Sequence, residues 1–413
     1  MSISISRIVD AYRDVNLMLR IFIGLLIGAA LGLTIPGLTG VAILGNLFVG
    51  ALKAMAPILV ALLVASSIAK AREGLGKRFR TVIILYMSST LIAAIVAVMA
   101  SRLFPVSLIL PGTGTTDAAP SELGDVFMKL AGDLMSNPVT AVSSATYLSI
   151  LFWAIIIGLA LKKRASDKTI TMIHEMADSV TLVVHWIIHC APFGIMGLVY
   201  SSVADSGLEI FTTYGKLVLL LVGCMLTTSL LINPIISSIM LRRNAYPLLW
   251  KCLKGSAVSA FFTRSSAANI PVNMSLCNRL GLNEDFYSVS IPLGCTINMD
   301  GAAVTITVMT LATCTTLGID VSLGSAIVLS ILSALAACGA SGVAGGSLLL
   351  IPMACSLFGI PQDISMQVVA VGFIISVIQD SVETALNSSG DVMFTATADF
   401  FDRQKQGEKI SFQ

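Results

Sequence analysis

Charge is scarce in this sequence. Of 413 residues, only 12% are Asp, Glu, Lys or Arg, about half the roughly 25% of an ordinary soluble domain. A soluble fold with so few charges lacks the polar groups to cover its surface, which excludes a soluble enzyme and a nucleic-acid binder. The net charge of +2 offers little to a polyanionic partner. Histidine is also rare. His185 and His189 have the i,i+4 spacing of a metal pair, but no catalytic Glu lies between them, and a packed or interfacial helix face explains them better. The eight cysteines (Cys190, Cys224, Cys252, Cys277, Cys295, Cys314, Cys338, Cys355) include no C-x-x-C pair. They read as small apolar packing residues, not disulfides or metal ligands. The chain has no Walker-type phosphate loop, no Gly-x-Ser-x-Gly elbow and no His-Glu-x-x-His motif, so neither ATP nor hydrolytic chemistry is indicated.

Apolar residues are abundant, at 56% with a mean hydropathy of +0.91, the composition of a polytopic membrane protein. Six apolar segments occupy about 17–35, 41–69, 81–104, 147–161, 170–200 and 210–241, several longer than the roughly 20 residues that span a bilayer. Their connections alternate in charge. Arg7, Arg13 and Arg20 precede the first segment, and Lys70, Arg72, Lys77, Arg78 and Arg80 follow the second. Lys162, Lys163, Arg164 and Lys168 follow the fourth; Arg242, Arg243, Lys251 and Lys254 follow the sixth. The intervening loops carry Asp117, Glu122, Asp125 and Asp133 against one Lys129, and then Asp205 and Glu209. Basic loops stay inside, so both termini are expected in the cytoplasm of a multi-pass protein of the cell (inner) membrane. No small-residue cleavage site follows the first segment, which reads as a retained helix. Residues 105–146 form a long external loop, with one short amphipathic helix expected near 125–135.

Beyond Lys254 the pattern changes. From there to Asp391 two basic residues, Arg264 and Arg279, stand against eight acidic ones. Small and polar residues now interrupt the apolar runs at their centres. Ser265-Ser266-Ala267-Ala268-Asn269 breaks one, Asn298-Met299-Asp300-Gly301 the next, and the Gly/Ser stretch from Gly339 to Ser347 a third. Asp380, Glu383, Asn387 and Asp391 mark a fourth. The order suggests a duplicated unit of re-entrant hairpin followed by a polar or broken helix. Non-helical backbone at membrane depth is tolerated only where protein or a water-filled cavity satisfies it. Free N–H groups at a Ser/Gly tip suit a carboxylate, and unwound carbonyls suit a small cation. Close packing by small residues is the plainer reading, but two tips each followed by intramembrane carboxylates favour a binding site. On the last helix, with Asp380 at 0°, a step of 100° per residue puts Thr384 at about 40°, Asn387 at about −20°, Asp391 at about 20° and Glu383 at about −60°. Three carboxylates on one arc must face a polar interior.

At Arg264-Ser265-Ser266, Asn298-Met299-Asp300-Gly301 and the Asp380–Asp391 stripe, the chain resembles the dicarboxylate/amino acid:cation symporters, the glutamate-transporter-like family. Within it the chain is most similar to the bacterial sodium/serine-threonine branch. The resemblance implies an all-α polytopic membrane protein with eight transmembrane helices, two re-entrant helical hairpins and an elevator fold. It implies a scaffold of residues 1–76 and, with the external loop, 105–208. The mobile transport unit would be 77–104 and 209–400, and 401–413 a cytoplasmic tail. It also implies a homotrimer in the lipid bilayer that uses sodium (Na+) as coupling ion, without ATP, nucleic acid or enzymatic turnover.

By position, the resemblance places Ser265 and Ser266 of the first tip near the substrate α-carboxylate. The second tip, Gly342 to Ser347, becomes a gate with backbone contacts at Val343 and Gly346. Asp380 would hold the ammonium, Asn387 the carboxylate, with Thr384 beside them. One implied sodium site uses the Gly294 carbonyl, Asn298, Asn387 and Asp391. A second uses Thr296 with the carbonyls of Ala337, Cys338 and Ala340, and a third Tyr86, Ser89, Thr90, Asn298 and Asp300. Four departures are visible. Ala267-Ala268 stands after the first tip where relatives often have Ser-Gly, Ala344 replaces a common proline in the gate, and Ala302 a common threonine. Glu383 stands where members carrying acidic substrates have arginine. A second substrate carboxylate would there meet repulsion without a partner, so a small neutral amino acid, serine or threonine, is the expected substrate. Proton coupling through Asp380 or Glu383, a broader neutral substrate range, an ion channel and an intramembrane enzyme remain alternatives.

Overall fold

A computed structural model describes residues 15, 17–70, 77–110, 135–207, 209–340, 345–408 and 410. The amphipathic helix expected near 125–135 and the tip residues Gly342, Val343 and Ala344 lie largely or wholly outside them. The described residues are helical, without a strand. The first elements follow the apolar runs: α1 (Leu17–Thr34), α2 (Thr39–Lys70), α3 (Lys77–Leu103), a short α4 (Pro138–Ser143) and α5 (Tyr147–Arg164). The single segment expected over 170–200 is instead two helices, α6 (Asp167–His189) and α7 (Ala191–Ser206), bent by 54°. Pro192 sits in the first turn of α7, where its missing N–H costs nothing but a continuous helix would be interrupted.

The sixth run is also subdivided. Between α8 (Glu209–Thr227) and α9 (Asn233–Leu241) the turn Thr228–Ile232 is π-helical. Then α10 (Tyr246–Cys252), a π-helical Leu253–Ala257 and α11 (Val258–Thr263) lead to a reversal. Arg264 ends α11 in the left-handed region (φ 53°, ψ 30°), and Ser265 caps α12 (Ser266–Arg279) by accepting the Ala268 N–H at 3.2 Å. The chain folds back here, because Asn269 and Asn273 of α12 reach Ser256 before the tip and Ser388 far along the sequence. Next, α13 (Glu284–Ile297) and α14 (Asp300–Thr316) are separated by Asn298 and Met299, whose φ/ψ of −94°/79° and −119°/51° are not helical. After α15 (Leu323–Ala337) come a short 3-10 turn, Ser347–Leu350, α16 (Ile351–Ser356) and α17 (Gln362–Lys405).

Among the described residues, five helices are long and apolar enough to cross a membrane, or six if the bent pair counts as one span. Their outer faces carry Leu103, Leu219 and Ile239, each over 70% exposed, as a lipid-facing surface requires. The interior is different. Every residue from Asp300 to Cys314 on α14 is buried, threonines included, enclosed by α3, α15 and α17. The 44 residues of α17 extend about 66 Å at 1.5 Å per residue, well beyond the roughly 30 Å hydrocarbon core. At its far end Arg78 of α3 donates to Asp399 at 2.9 Å and to Asp402 at 2.5 Å, which ties the two helices together.

A separate seam joins α1 to α7. A Cβ placed on Gly24 or Gly28 would run into the Pro192 or Met196 carbonyl oxygen, and one on Gly32 would stand 2.8 Å from that of Tyr200. Backbones approach this closely only when small residues line the contact.

Candidate functional site

The carboxylate stripe of α17 is buried, as its arc requires: Asp380, Glu383, Thr384, Asn387 and Asp391 are each at most 5% exposed. The tip reversal at Arg264 delivers a guanidinium onto Asp380. Its Nε and Nη2 both lie 2.7 Å from Asp380 Oδ2. The Gly345 backbone, from the second tip, also faces the Asp380 carboxylate; Gly345 has φ +73°, a region that suits glycine. Asp380 is therefore where the two tips converge. Ser265 serves as a helix cap, while Ser266 is buried beside it and Gly346 follows Gly345 inside the protein.

Glu383 forms a second centre. Its Oε2 accepts from the Thr305 hydroxyl at 2.8 Å, the Ser347 hydroxyl at 2.9 Å and the Gln379 amide at 2.5 Å. Gly301 makes this approach possible, since a Cβ there would stand 2.9 Å from Glu383 Cα and Cγ. Thr384 turns its hydroxyl to the Asp380 carbonyl of its own helix. Asn387 accepts the Gly301 N–H at 2.9 Å and donates to Met299 Sδ, so its amide closes the helix break between α13 and α14.

The third centre is rich in oxygen. Asp300 Oδ1 accepts from the Ser89 hydroxyl at 2.9 Å and the Thr90 hydroxyl at 3.0 Å, while Ser89 also lies 3.3 Å from Asn298 Oδ1. Asn298 Nδ2 bridges to Asp391 Oδ1 at 3.0 Å and to the Asn387 carbonyl at 3.2 Å. Tyr86 contributes in two directions: its carbonyl lies 3.0 Å from the Ser89 hydroxyl oxygen, and its hydroxyl bonds Thr395 at 2.9 Å and the Asp391 carbonyl at 3.2 Å. A Cβ on Gly294 would stand 2.7 Å from Asp391 Oδ1, which places that residue against the same group. The set named for the remaining sodium site is looser. The Thr296 hydroxyl bonds its own helix at Leu293, and the Ala337 carbonyl accepts from the Ala340 N–H. Cys338 Sγ lies 3.8 Å from the Ile297 carbonyl, next to the break.

Asp300 and Asp391 form no ion pair with Lys, Arg or His among the described residues, and no cluster of three His, Cys, Asp or Glu is found there. Two separated carboxylates among neutral hydroxyl, amide and carbonyl oxygens do not suit zinc, which takes nitrogen and sulfur. They fit a small hard cation of single charge. Three residues central to this picture, Arg264 as the partner of Asp380 together with Gln379 and Thr305 around Glu383, are absent from the sequence-derived site.

The model of the sodium:dicarboxylate symporter family matches residues 17–400. The chain belongs to this family. Among curated relatives it is 56% identical over 403 residues to a serine/threonine transporter, SstT, of Bifidobacterium adolescentis, covering 98% of this chain and 94% of that one. It is 52% identical over 394 residues to proteins of the same name from Streptococcus thermophilus and Streptococcus agalactiae, covering 95% of this chain and 98% of each. Family membership accords with the apolar helices of a multi-pass membrane protein and with the buried carboxylates at the centre of the bundle.

Proposed function

We propose that this protein is a sodium-coupled symporter that imports serine and threonine across the cytoplasmic membrane by alternating access. The near full-length relatives named serine/threonine transporter support the substrate. The observation that carries the reading physically is Glu383. A dicarboxylate bound beside Asp380 needs a second cation, but Arg264 is already committed to Asp380, and Arg279 stands exposed at the end of α12. Glu383 offers no positive charge where such a substrate needs one, and its Oε2 already accepts three hydrogen bonds. A neutral amino acid avoids this conflict. Its ammonium would meet Asp380, its carboxylate the N–H groups of the tips near Ser266 and Gly346, and its hydroxyl the polar group around Glu383.

Sodium belongs to the same proposal as cotransported substrate. Ser89, Thr90, Asn298 and Asp300 would hold one ion, and Gly294, Asn298, Asn387 and Asp391 another. One sodium ion moving down about 100 mV supplies about 2.3 kcal/mol, and a tenfold gradient adds about 1.4 kcal/mol. Together these support a several-hundredfold substrate gradient. The division into a scaffold (1–76, 105–208) and a moving unit (77–104, 209–400) is supported by the α1–α7 seam on one side. On the other, α3 is tied by hydroxyl bonds to α14 and α17. Eight spans, two re-entrant hairpins and a homotrimer complete the proposed elevator. Uptake of labelled serine into proteoliposomes tests it, with sodium, potassium and proton gradients imposed in turn. Saturable uptake that needs sodium is expected. Equal uptake with potassium, or uptake driven by a proton gradient alone, overturns sodium coupling.

A further inference from the structure

Asp300 is a fully buried carboxylate with no ion-pair partner among the described residues. Its two oxygens are served from different sides. Oδ1 takes the hydroxyls of Ser89 and Thr90, both from α3, whereas Oδ2 takes a single bond, the Nδ2 amide of Asn233 at 3.0 Å. Asn233 comes from the predominantly apolar α8–α9 run and is 2% exposed. It is the first residue of α9, directly after the π-helical turn Thr228–Ile232. A π-helical turn adds one residue to the helix and rotates everything beyond it, and such turns gather at functional sites. Here the rotation aims Asn233 at Asp300, and a Cβ on Gly390 would lie between Asn298 Nδ2 at 2.8 Å and Asn233 Nδ2 at 3.8 Å. Meanwhile Asn233 Oδ1 is buried with no hydrogen-bond donor among the described residues. A side chain kept only for packing has no reason to bury an amide oxygen without a donor. An oxygen so placed suits a cation.

We infer that Asn233 is a positioning residue of the sodium-binding group at Asp300: its amide N–H fixes the rotation of the carboxylate, and its amide oxygen is a further atom able to face the ion. The inference rests on reading the Asp300 group as a sodium site. Asn233 therefore acts on cation affinity without touching the amino-acid substrate.

The test measures sodium binding, not transport. Purified protein is titrated with sodium chloride against choline chloride at constant ionic strength, and binding is followed by the rise in melting temperature and by isothermal titration calorimetry. Asn233→Ala removes both amide atoms, and Asn233→Ser restores a short hydroxyl. Thr228→Ala is the control, because among the described residues the Thr228 hydroxyl bonds only the Cys224 carbonyl of its own helix. Loss of a hydrogen bond to a buried charge predicts about a tenfold or larger rise in half-saturating sodium for Asn233→Ala. A smaller rise is expected for Asn233→Ser and none for Thr228→Ala, with serine affinity regained in all three at saturating sodium. If the alanine variant does not fold, the serine variant reads a shift in the same direction. Sodium curves for both Asn233 variants that overlay those of the unmutated protein overturn the inference. Unmutated protein that binds no sodium overturns the functional reading instead.

Discussion

Gly301→Ala is the smallest change that probes how Glu383 is held. The added Cβ would stand 2.9 Å from both Cα and Cγ of Glu383, whereas carbon atoms rest at about 3.5–4.0 Å, so the helices must separate by about 0.6 Å or more. One of the two obstructing atoms is backbone, and no rotamer change of Glu383 relieves it. Overpacking of this kind costs about 1–3 kcal/mol. The better helix propensity of alanine in the first turn of α14 offsets up to about 1 kcal/mol, leaving a net loss of about 0–3 kcal/mol in stability. An effect on binding is also expected. Moving Glu383 by that distance stretches its bonds from Thr305 (2.8 Å) and Ser347 (2.9 Å) to the edge of hydrogen-bonding range. Such bonds contribute about 0.5–1.5 kcal/mol each, so weakening both should lower serine affinity by about tenfold. Gly223→Ala is the matched control, since nothing lies within 4 Å of a Cβ there; it should be neutral or slightly stabilising. Thermal unfolding in detergent and serine binding at saturating sodium report both effects. A Gly301→Ala protein that melts like Gly223→Ala and binds serine within twofold of the unmutated protein would refute the argument.

Three further outcomes are expected. Asp391→Asn removes a charge from the group of Asn298, Tyr86 and Gly294 and should raise the sodium concentration for half-maximal uptake by about tenfold or more, with assembly unchanged by size-exclusion chromatography. Glu383→Arg should depress serine uptake and improve competition by aspartate relative to serine; identical inhibition profiles for serine, threonine, alanine and aspartate in both proteins would remove Glu383 from substrate selection. Arg78→Ala should lower the melting temperature by the equivalent of about 1–3 kcal/mol, because the Asp399 side chain is fully buried and loses its nearest cation. An unchanged melting temperature would mean that Arg403, 3.9 Å away, holds Asp399 unaided.

The helices were legible wherever hydrophobic length alone decides, as in α1 to α3 and α5. The bend at Cys190 was not, because apolar character continues through it and only Pro192 marks the change. The π-helical turn at Thr228–Ile232 left no trace in hydropathy, since one extra residue shifts the phase of a run without changing its mean apolar character; Asn233-Pro234 was the available signal. For the site, the 100° arithmetic on α17 was enough to bring Asp380, Glu383, Asn387 and Asp391 together, because a regular helix fixes that geometry. Pairings between elements were less accessible. Arg264 and Asp380 are 116 positions apart, and their meeting depends on the left-handed residue at the tip. Thr305 and Ser347 likewise reach Glu383 only because α14 and the second tip pack against α17. Asn387, expected to hold a substrate carboxylate, here accepts the Gly301 N–H in the first turn of α14; this is a bond that no spacing rule announces. Val343, expected to line the gate, lies outside the described residues.

The seam between α1 and α7 restricts the chain in another way. Where a main-chain oxygen already occupies the space of a methyl group, as at Gly24 and Gly28, the clash falls on backbone, and no rearrangement of side chains can absorb it. These positions therefore admit one amino acid each, although neither belongs to the carboxylate group of α17. A screen of random replacements scored by activity would mark them as sharply as Asp380. The two kinds of intolerance separate only when the amount of folded protein in the membrane is measured beside its transport rate: loss at the seam would appear in the first quantity, and loss at the carboxylates in the second.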